Sequence, residues 1–262
     1  MRGALPPVHW IIPVYRPDPP DLRSLLSALS GETIIIVRNY SGKIASGRHT
    51  VLGDGTNRGY AAAANTGMTY AYTHGAVWAL VVNQDLKATR SAVTALKQKL
   101  TNDQPMIAGP FAGSFDPVRY TTVYPAKQES GLKYISGSCI AVHIDLARRT
   151  KLFYEPYFLY YEDADLCLRA AKAGFPVRHL PVPGFSHTDN QSVGGNTFLL
   201  SYYLARNHML FIRRNAPTAV VAREIIRMPL TLLEHHRRGE IGAVTGIRDF
   251  ALGRFGKFGG KL

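Results

Sequence analysis

The sequence predicts an α/β fold built on a doubly wound, mostly parallel sheet. Four short apolar runs rich in β-branched residues have the composition of strands that are covered on both faces. Helical stretches separate these runs, and strands that alternate with helices are typical of a parallel sheet. The predicted strands are residues 9–15, 33–38, 49–53 and 76–83, and the predicted helices between and after them are residues 20–29, 59–75 and 90–100.

The second half of the chain starts with looser β-rich segments and then turns helical. "MIAGPFAG", "YTTVYP" and "KYISGSCIAVH" indicate further strands, which we expect at the sheet edge. A helix over 162–173 is predicted because Ala164, Cys167, Leu168 and Ala171 follow an i, i+3, i+4, i+7 spacing. Gly174 and then Pro176 end it. We expect one domain over residues 1–215 and a basic, amphipathic helical extension over residues 216–262.

Length and composition indicate a globular protein. The chain has 262 residues, of which 46% are hydrophobic, and this suffices for a full core. No run of eighteen apolar residues occurs, and prolines interrupt the N-terminal segment where a signal peptide needs an unbroken apolar stretch. We therefore expect the protein in the cytoplasm. Cys139 and Cys167 lie far apart in predicted core elements, which argues against a disulfide or a cysteine-based zinc site.

The charge distribution indicates an acidic partner. The formal net charge is +13, and residues 201–262 alone hold 11 basic and 4 acidic residues. Nucleic acid, an anionic membrane surface and a phosphorylated small molecule would each complement such a charge. The basic residues are not interleaved with aromatics and no DNA-reading motif is present, which argues against nucleic acid. For the tail, a solvated helical face is the alternative to binding an anionic membrane surface.

Three acids stand close together in "YFLYYEDADLCLRAAKAGF", which spans residues 157–175. Glu162, Asp163 and Asp165 could simply stabilise the first turn of a helix, at about 0.3–1 kcal/mol each. A carboxylate beside an aromatic segment at the start of a helix is also a good general base. Asp165 and Arg169 form an i,i+4 pair, which favours a structural role for that acid.

Polar segments follow the predicted strands at the sheet edge where ligands bind in this class of fold. Asp85 comes two residues after the fourth strand, and His187 lies in "GFSHTDNQS". A carboxylate with an imidazole suits a divalent ion that is also bound by diphosphate oxygens. "TNRGYAAAANTG" contains neither the Gly-x-Gly-x-x-Gly nor the Walker pattern, and a Rossmann dehydrogenase is therefore disfavoured.

The order of these motifs resembles that of the family 2 inverting glycosyltransferases, and within them the rhamnosyltransferase-like branch. The resemblance covers about residues 8–215. It is carried by "PVYRP", "RNYSG", "NRGYAAAANTG", "NQD", "ISGSCIAVHID", "FYEPYFLYYEDADLCLR", "SHTDNQS" and "YYLARNHMLFIRRN". It implies a GT-A fold, with a Rossmann-like half that binds the nucleotide of a nucleotide-diphosphate sugar.

The same resemblance assigns the reacting groups. Asp85 matches the metal-binding acid of the family's Asp-any-Asp motif, Asn83 stands where its first Asp is usual, and His187 matches the metal-binding histidine. The expected cofactor is Mg²⁺ or Mn²⁺. Asp163 matches the catalytic base, with Glu162 beside it to position the acceptor. Its place behind a Phe-Leu-Tyr-Tyr segment would also raise the pKa of Asp163 by desolvation.

The resemblance further implies a set of nucleotide-sugar contacts. Pro13, Tyr15, Asn39 and Asn65 fall where the family holds the base and ribose. Arg38 replaces an acid that commonly touches the nucleobase, which leaves base selectivity open. Gln84 lies inside the "NQD" motif and is included in the same site. Arg206 is a candidate second cation for the diphosphate.

The expected function is transfer of L-rhamnose from dTDP-rhamnose to a hydroxyl of a bacterial cell-surface polysaccharide or lipid-linked glycan. The lipid-linked acceptor implies a peripheral position on the inner face of the bacterial inner membrane. A galactofuranosyltransferase using UDP-galactofuranose would share the same metal and base positions. A non-catalytic, basic protein that binds nucleic acid or glycans is the alternative from another class.

Overall fold

The computed structural model describes residues 5–44, 47–100, 104–116, 118–124, 133–187 and 195–260. The strands are β1 (Val8–Val14), β2 (Thr33–Arg38), β3 (Thr50–Leu52), β4 (Trp78–Val82), β5 (Lys87–Ala88), β6 (Ile107–Gly109), β7 (Ala112–Phe115), β8 (Thr122–Val123), β9 (Lys133–Ile135), β10 (Cys139–His143), β11 (Val177–His179) and β12 (Phe185–Ser186). The helices are α1 (Pro19–Ala28), α2 (Tyr60–Thr73), α3 (Arg90–Lys99), α4 (Ile144–Thr150), α5 (Glu162–Lys172), α6 (Thr197–Asn215), α7 (Thr218–Arg237) and α8 (Ile241–Ala251), with a 3-10 turn at Glu155–Tyr157.

A seven-stranded sheet in the order β11-β6-β10-β4-β1-β2-β3 forms the centre of the protein. Its strands are parallel except β10, which is antiparallel to both of its neighbours. Side chains alternate between the two faces, so that Ile35 packs with α2 and Ile34 and Ile36 pack with α1 and α3. Helices therefore cover both faces, which confirms the predicted doubly wound α/β architecture.

The position of β10 corrects one expectation. We predicted that the strands after residue 105 would extend the sheet at its edge, whereas β10 lies inside it between β4 and β6. All five residues of β10 are buried, since it is covered on both faces. The segment β7-β8-β9 does not join this sheet and forms a separate three-stranded sheet.

The region after residue 196 contains two different kinds of helix. Helix α8 packs closely on α6, because Gly242 and Gly246 carry no side chains where the α6 backbone approaches them. Ile247 and Phe250 of α8 are part of the main core. Helix α7 has no buried residue. Within the described part of the chain, no helix is both long and apolar enough to cross a membrane.

A buried carboxylate, Asp165, connects helix α5 to its surroundings. It is fully buried. It accepts hydrogen bonds from Arg169 at 2.7 Å, Arg214 at 3.0 Å, Asn215 at 2.8 Å and Tyr157 at 3.2 Å. Burial alone would raise the pKa of this carboxyl, but the two guanidinium groups and the amide hold it below its usual value. The predicted ion pair between Asp165 and Arg169 is confirmed, and the carboxylate of Asp165 is buried in the protein interior.

Arg169 extends this network to the end of α4. Its guanidinium donates to the carbonyl oxygens of Thr150 and Leu152 while it binds Asp165. Arg214 and Asn215 come from the last turn of α6. The end of α4, the turn before α5 and the end of α6 therefore fix the position of α5, whose first residues include the predicted base.

We expect Asp165→Ala to lower the free energy of unfolding by about 3–5 kcal/mol, because it leaves two arginines without their buried counter-charge. The matched control is Asp145→Ala, whose partner Arg148 is largely exposed. That control should cost less than about 1 kcal/mol. Urea denaturation of the two variants measures both values. Equal losses in the two variants would contradict the structural role of Asp165.

Candidate functional site

A cavity of about 340 Å³ lies beyond the end of β4 and is lined by the predicted base Asp163 and by His187, one of the two predicted metal ligands. Its floor includes Glu162 and Asp163 at the start of α5. Asn83, which follows β4, and His187, which follows β12, line another part of it. The cavity thus brings together residues that are about a hundred positions apart in the sequence.

Asp163 is held by backbone amides. Its Oδ2 accepts a hydrogen bond from the Gly137 amide at 2.8 Å, and its Oδ1 accepts one from the Ala164 amide at 2.7 Å. Gly137 lies in the short turn between β9 and β10, so the central sheet supports the carboxylate. Burial raises the pKa of Asp163 although the amides oppose this shift. A raised carboxyl pKa makes the ionised form a better proton acceptor.

Glu162 is more deeply buried than its neighbour. Only 5% of it is exposed, and its Oε2 has no hydrogen-bond partner among the described residues. Burial, and then the charge of Asp163, hold the pKa of Glu162 well above the usual range. Both pKa values are raised, that of Glu162 further than that of Asp163, so Glu162 keeps its proton to a higher pH than Asp163 does.

The loop in front of α5 has a strained backbone. Phe158, Tyr160 and Tyr161 adopt positive φ angles of 66°, 67° and 73°. Bulky residues rarely adopt this conformation, and it persists only where the surroundings enforce it. Here Asn207 enforces it, since its amide donates to the carbonyls of Tyr157, Leu159 and Tyr160. Strain of this kind clusters at functional sites.

Gly59 allows this loop to approach helix α2. The glycine has a φ of +88°, and a Cβ on it would lie 2.5 Å from the carbonyl oxygen of Phe158. That carbonyl accepts a hydrogen bond from the amide of Tyr60 at 2.7 Å. The glycine of "NRGY" is therefore required by backbone contact, and the motif positions the aromatic wall of the cavity.

Arg206 is not available as a second cation, which corrects our prediction. It is fully buried on α6. Its guanidinium donates to the carbonyls of Gly256 at 2.6 Å and Tyr157 at 2.8 Å, and it lies over the ring of Tyr202. Through these hydrogen bonds the guanidinium holds α6 against the loop before α5 and against the C-terminal segment. Arg206 therefore has a structural role.

The predicted metal ligands lie close together. Strands β5 and β12 form a two-stranded antiparallel ribbon in which Ser186 pairs with Lys87, and this pairing places His187 near Asp85. His187 Nε2 is 3.2 Å from Asp85 Oδ1 and 2.9 Å from the side-chain amide of Asn83. Among the described residues, no group of three His, Cys, Asp or Glu side chains forms a complete metal site. One carboxylate, one imidazole and one amide fit a divalent ion whose other ligands are diphosphate oxygens and water.

Several residues predicted to contact the nucleotide instead use their side chains internally. Asn39 donates to the carbonyl of Gly59 and accepts from the amide of Arg58. Asn65 exchanges two hydrogen bonds with the backbone of Phe153. Gln84 exchanges two with the backbone of Tyr15. We therefore assign these three side chains a structural role in the loops of the site. Few of their hydrogen-bonding groups remain for a nucleotide.

The remaining three predicted residues lie at the ends of β1 and β2. Pro13 is buried within β1, which leaves its ring little access to a ligand. Tyr15 is 38% exposed just after that strand. Arg38 ends β2 and donates to the carbonyl of Gly53 at 3.3 Å, while its buried Nε has no partner among the described residues. Tyr15 and Arg38 are thus the accessible members of the predicted nucleotide set.

Residues 188–192 of the "SHTDNQS" motif lie outside the described residues.

Sequence reasoning missed four residues that support the site, namely Gly137, Asn207, Arg214 and Asn215. Helix α6 carries an Arg-Asn pair at 206–207 and again at 214–215. Asn207 and Asn215 are buried on α6 among large apolar and aromatic residues, as is Arg206. Buried polar side chains need partners, so this repeated pair was a signal for buried hydrogen bonds to neighbouring segments.

Comparison with solved structures supports the fold. Seventy-seven chains match, and one of them is described as GalNAc-T7 with UDP, GalNAc and Mn²⁺. The superposition has a TM-score of 0.59 and 12% sequence identity, and it covers 80% of this chain. It covers 48% of the GalNAc-T7 chain, so this protein spans about half of that structure's length. No protein-family model and no curated protein sequence matches the chain. The GT-A fold predicted from the sequence is confirmed.

We expect Glu162→Gln to stabilise the protein at pH 8 and to have less effect near pH 4. The pKa of Glu162 is raised in the folded state, so the protonated side chain stabilises the fold below the unfolded-state pKa of about 4.3. This contribution is lost as the pH rises through the folded-state pKa, because the buried carboxyl must then ionise. Glutamine does not ionise and avoids that loss. Thermal unfolding measures this, at about 2–4 °C for each kcal/mol. Glu234→Gln on the exposed face of α7 is the control and should change little at either pH. A variant less stable than the wild type at pH 8 would contradict the burial of an ionisable carboxyl here.

Proposed function

We propose that the protein is a metal-dependent, inverting glycosyltransferase that transfers L-rhamnose from dTDP-rhamnose to a hydroxyl of a bacterial polysaccharide or lipid-linked glycan. The observation that carries the proposal is the shared cavity, in which a carboxylate with a raised pKa lies together with the Asn83 and His187 side chains. A base for the acceptor and ligands for the donor's diphosphate are the two requirements of this reaction.

Asp163 acts on the acceptor in this proposal. The Gly137 and Ala164 amides fix the carboxylate, so its remaining lone pairs have a defined direction toward a bound hydroxyl. It takes the proton as the hydroxyl oxygen attacks the anomeric carbon of the donor. A single displacement of this kind inverts the anomeric configuration and needs no covalent intermediate.

Asp85, His187 and Asn83 act on the donor. Asn83 and His187 line the cavity beyond β4 and Asp85 contacts His187, so these three side chains would hold an ion together with the diphosphate. Negative charge on the departing diphosphate is offset when Mg²⁺ or Mn²⁺ is bound there. The structurally similar GalNAc-T7 contains UDP and Mn²⁺, which supports a nucleotide and a divalent ion for this fold.

The donor could also be UDP-galactofuranose. Arg38 offers a guanidinium at the end of β2, where the resemblance places the nucleobase. Arginine donates hydrogen bonds, and both thymine and uracil present carbonyl acceptors. Arg38 is consistent with either base, and the two donors must be compared directly.

A surface of α7 suits the proposed anionic membrane. Ile226, Leu230 and Leu233 are between 43% and 78% exposed, and their i, i+4, i+7 spacing places them in one stripe along the helix. Ile225, which is 53% exposed, precedes this stripe. Arg227 and Arg237 are exposed on the same helix. A helix with an exposed apolar stripe and bordering arginines binds at the interface of an anionic bilayer, where each basic residue contributes about 1 kcal/mol. The peripheral position on the inner face of the inner membrane is therefore part of this proposal.

We expect Asp163→Asn to lower turnover by about 10²–10⁴-fold while nucleotide-sugar binding stays nearly unchanged, because it removes the base and keeps the shape. Turnover and donor affinity should be measured on the same preparation. Asp145→Asn, at the start of α4, is the control because this side chain is 49% exposed. Retention of more than about a third of the turnover by Asp163→Asn would mean that another group takes the proton.

We expect His187→Ala and Asp85→Ala each to weaken Mn²⁺ binding by at least about tenfold when UDP is present, because each removes one of few protein ligands. Electron paramagnetic resonance of Mn²⁺ measures the bound fraction without any turnover. His179→Ala, on β11, is the control for the loss of a histidine. Unchanged Mn²⁺ binding in both site variants would contradict the metal assignment.

We expect the protein to bind vesicles that contain phosphatidylglycerol and to bind much less to vesicles of phosphatidylcholine alone. The double variant Ile226→Ser and Leu230→Ser should reduce this binding at low salt, whereas Leu5→Ser, an exposed leucine at the other end of the chain, should not. Vesicle sedimentation at low and high salt measures the bound fraction of the wild type and of each variant. Negligible binding by the wild type at low salt would show that α7 does not attach the protein to lipid.

A further inference from the structure

The cavity has an unusual charge for this protein. The chain contains 31 Lys and Arg residues, yet none of them is among the described residues that line the cavity. The ionisable side chains of its floor are the two acids, Glu162 and Asp163. A negative group bound against this floor would lie beside the two acids and would meet no Lys or Arg among the described residues that line the cavity, so these side chains would not compensate for its lost hydration.

The floor also contains one unsatisfied polar atom. Both Asp163 oxygens already accept hydrogen bonds from backbone amides, whereas Glu162 Oε2 has no partner among the described residues and is buried. Buried polar atoms without partners are rare in native proteins and call for an explanation. A ligand hydroxyl can satisfy Glu162 in either protonation state, since a hydroxyl both donates and accepts.

The walls of the cavity are aromatic and aliphatic. Tyr60, Tyr134 and Tyr161 line one part, and Leu200 and Leu204 of α6 line another. Flat apolar surfaces with a few convergent polar groups are typical of sites for small ligands. A pyranose ring presents C–H groups on its faces and hydroxyls around its edge, and it complements such walls and such a floor.

We propose that this cavity is the acceptor subsite for an uncharged sugar that has a second hydroxyl next to the reacting one. The reacting hydroxyl lies at Asp163, and its neighbour forms a hydrogen bond with Glu162. The inference rests on the proposed glycosyltransferase function and narrows its acceptor. Uronic acids and phosphorylated sugars are excluded at this position, so the phosphate of a lipid-linked acceptor lies outside the cavity.

The test compares matched neutral and acidic sugars. Methyl glucoside, galactoside and mannoside are each paired with the corresponding methyl glycuronide, and binding is measured by saturation-transfer NMR with UDP present. We expect at least one neutral glycoside to bind, and to bind at least about tenfold more tightly than its glycuronide. Equal binding within every pair, tighter binding of a glycuronide, or no binding of any neutral glycoside would overturn the proposal.

A charge introduced at the rim should change this selectivity. Leu204→Arg places a cation beside the cavity at a position that is 40% exposed, and Leu252→Arg places one just after α8 at a position that is 54% exposed and does not line the cavity. We expect Leu204→Arg to reduce the preference for the neutral sugar to about threefold or less, and Leu252→Arg to leave it unchanged. The same preference in the two variants would overturn the proposal, and thermal unfolding verifies that both are folded.

Failure of the proposed glycosyltransferase function would give a different result from failure of the acceptor subsite. Consumption of nucleotide sugars by the wild-type protein, with water as the acceptor, depends on the donor site and not on the charge of the acceptor. Absence of donor consumption together with selective binding of neutral sugars would refute catalysis and retain the saccharide subsite. Donor consumption without neutral-sugar selectivity would refute the subsite alone.

Discussion

The candidate site depends on one buried electrostatic contact, the network around Asp165. Its carboxylate is shared by Arg169, Arg214, Asn215 and Tyr157, which come from α5, the end of α6 and the turn before α5. A buried charge is tolerated only when it is paired and fully hydrogen-bonded. These partners must therefore stay in place together, and this requirement fixes the start of α5 relative to α6 and to the turn before α5. Asp163 lies two residues earlier on the same helix.

A second set of contacts shapes the loop that leads into that helix. Arg206 and Asn207 of α6 donate to backbone carbonyls of residues 156–160, and Gly59 allows the start of α2 to approach from the other side. These contacts maintain the left-handed backbone that turns Tyr161 toward the cavity. The network around Asp165 thus orients the acid, and the Asn207 contacts orient the aromatic wall beside it.

Local patterns in the sequence predicted the alternating strands and helices of the first hundred residues and the helix that carries the acids. The position of β10 could not be predicted, because a short, wholly apolar strand indicates neither its direction nor its neighbours. The grouping of acids in the first turn of α5 left a structural and a catalytic role open, and the family resemblance was needed to choose Asp163 as the proposed base. The burial of Asp165 depends on Arg214 and Asn215, about fifty residues away, and no local pattern contains that contact. The structural role of Arg206 could not be predicted for the same reason, since its hydrogen-bond acceptors are backbone carbonyls of other segments.

The central claim is that one cavity holds both the base and the donor-binding edge of a sugar transferase. The most direct measurement is incubation of the wild-type protein with a panel of nucleotide sugars, including dTDP-rhamnose and UDP-galactofuranose, with Mg²⁺ or Mn²⁺ and neutral glycosides. Release of the nucleoside diphosphate is followed over time. The account predicts release from at least one donor, faster when a neutral glycoside is present. No release from any donor with either ion would contradict it.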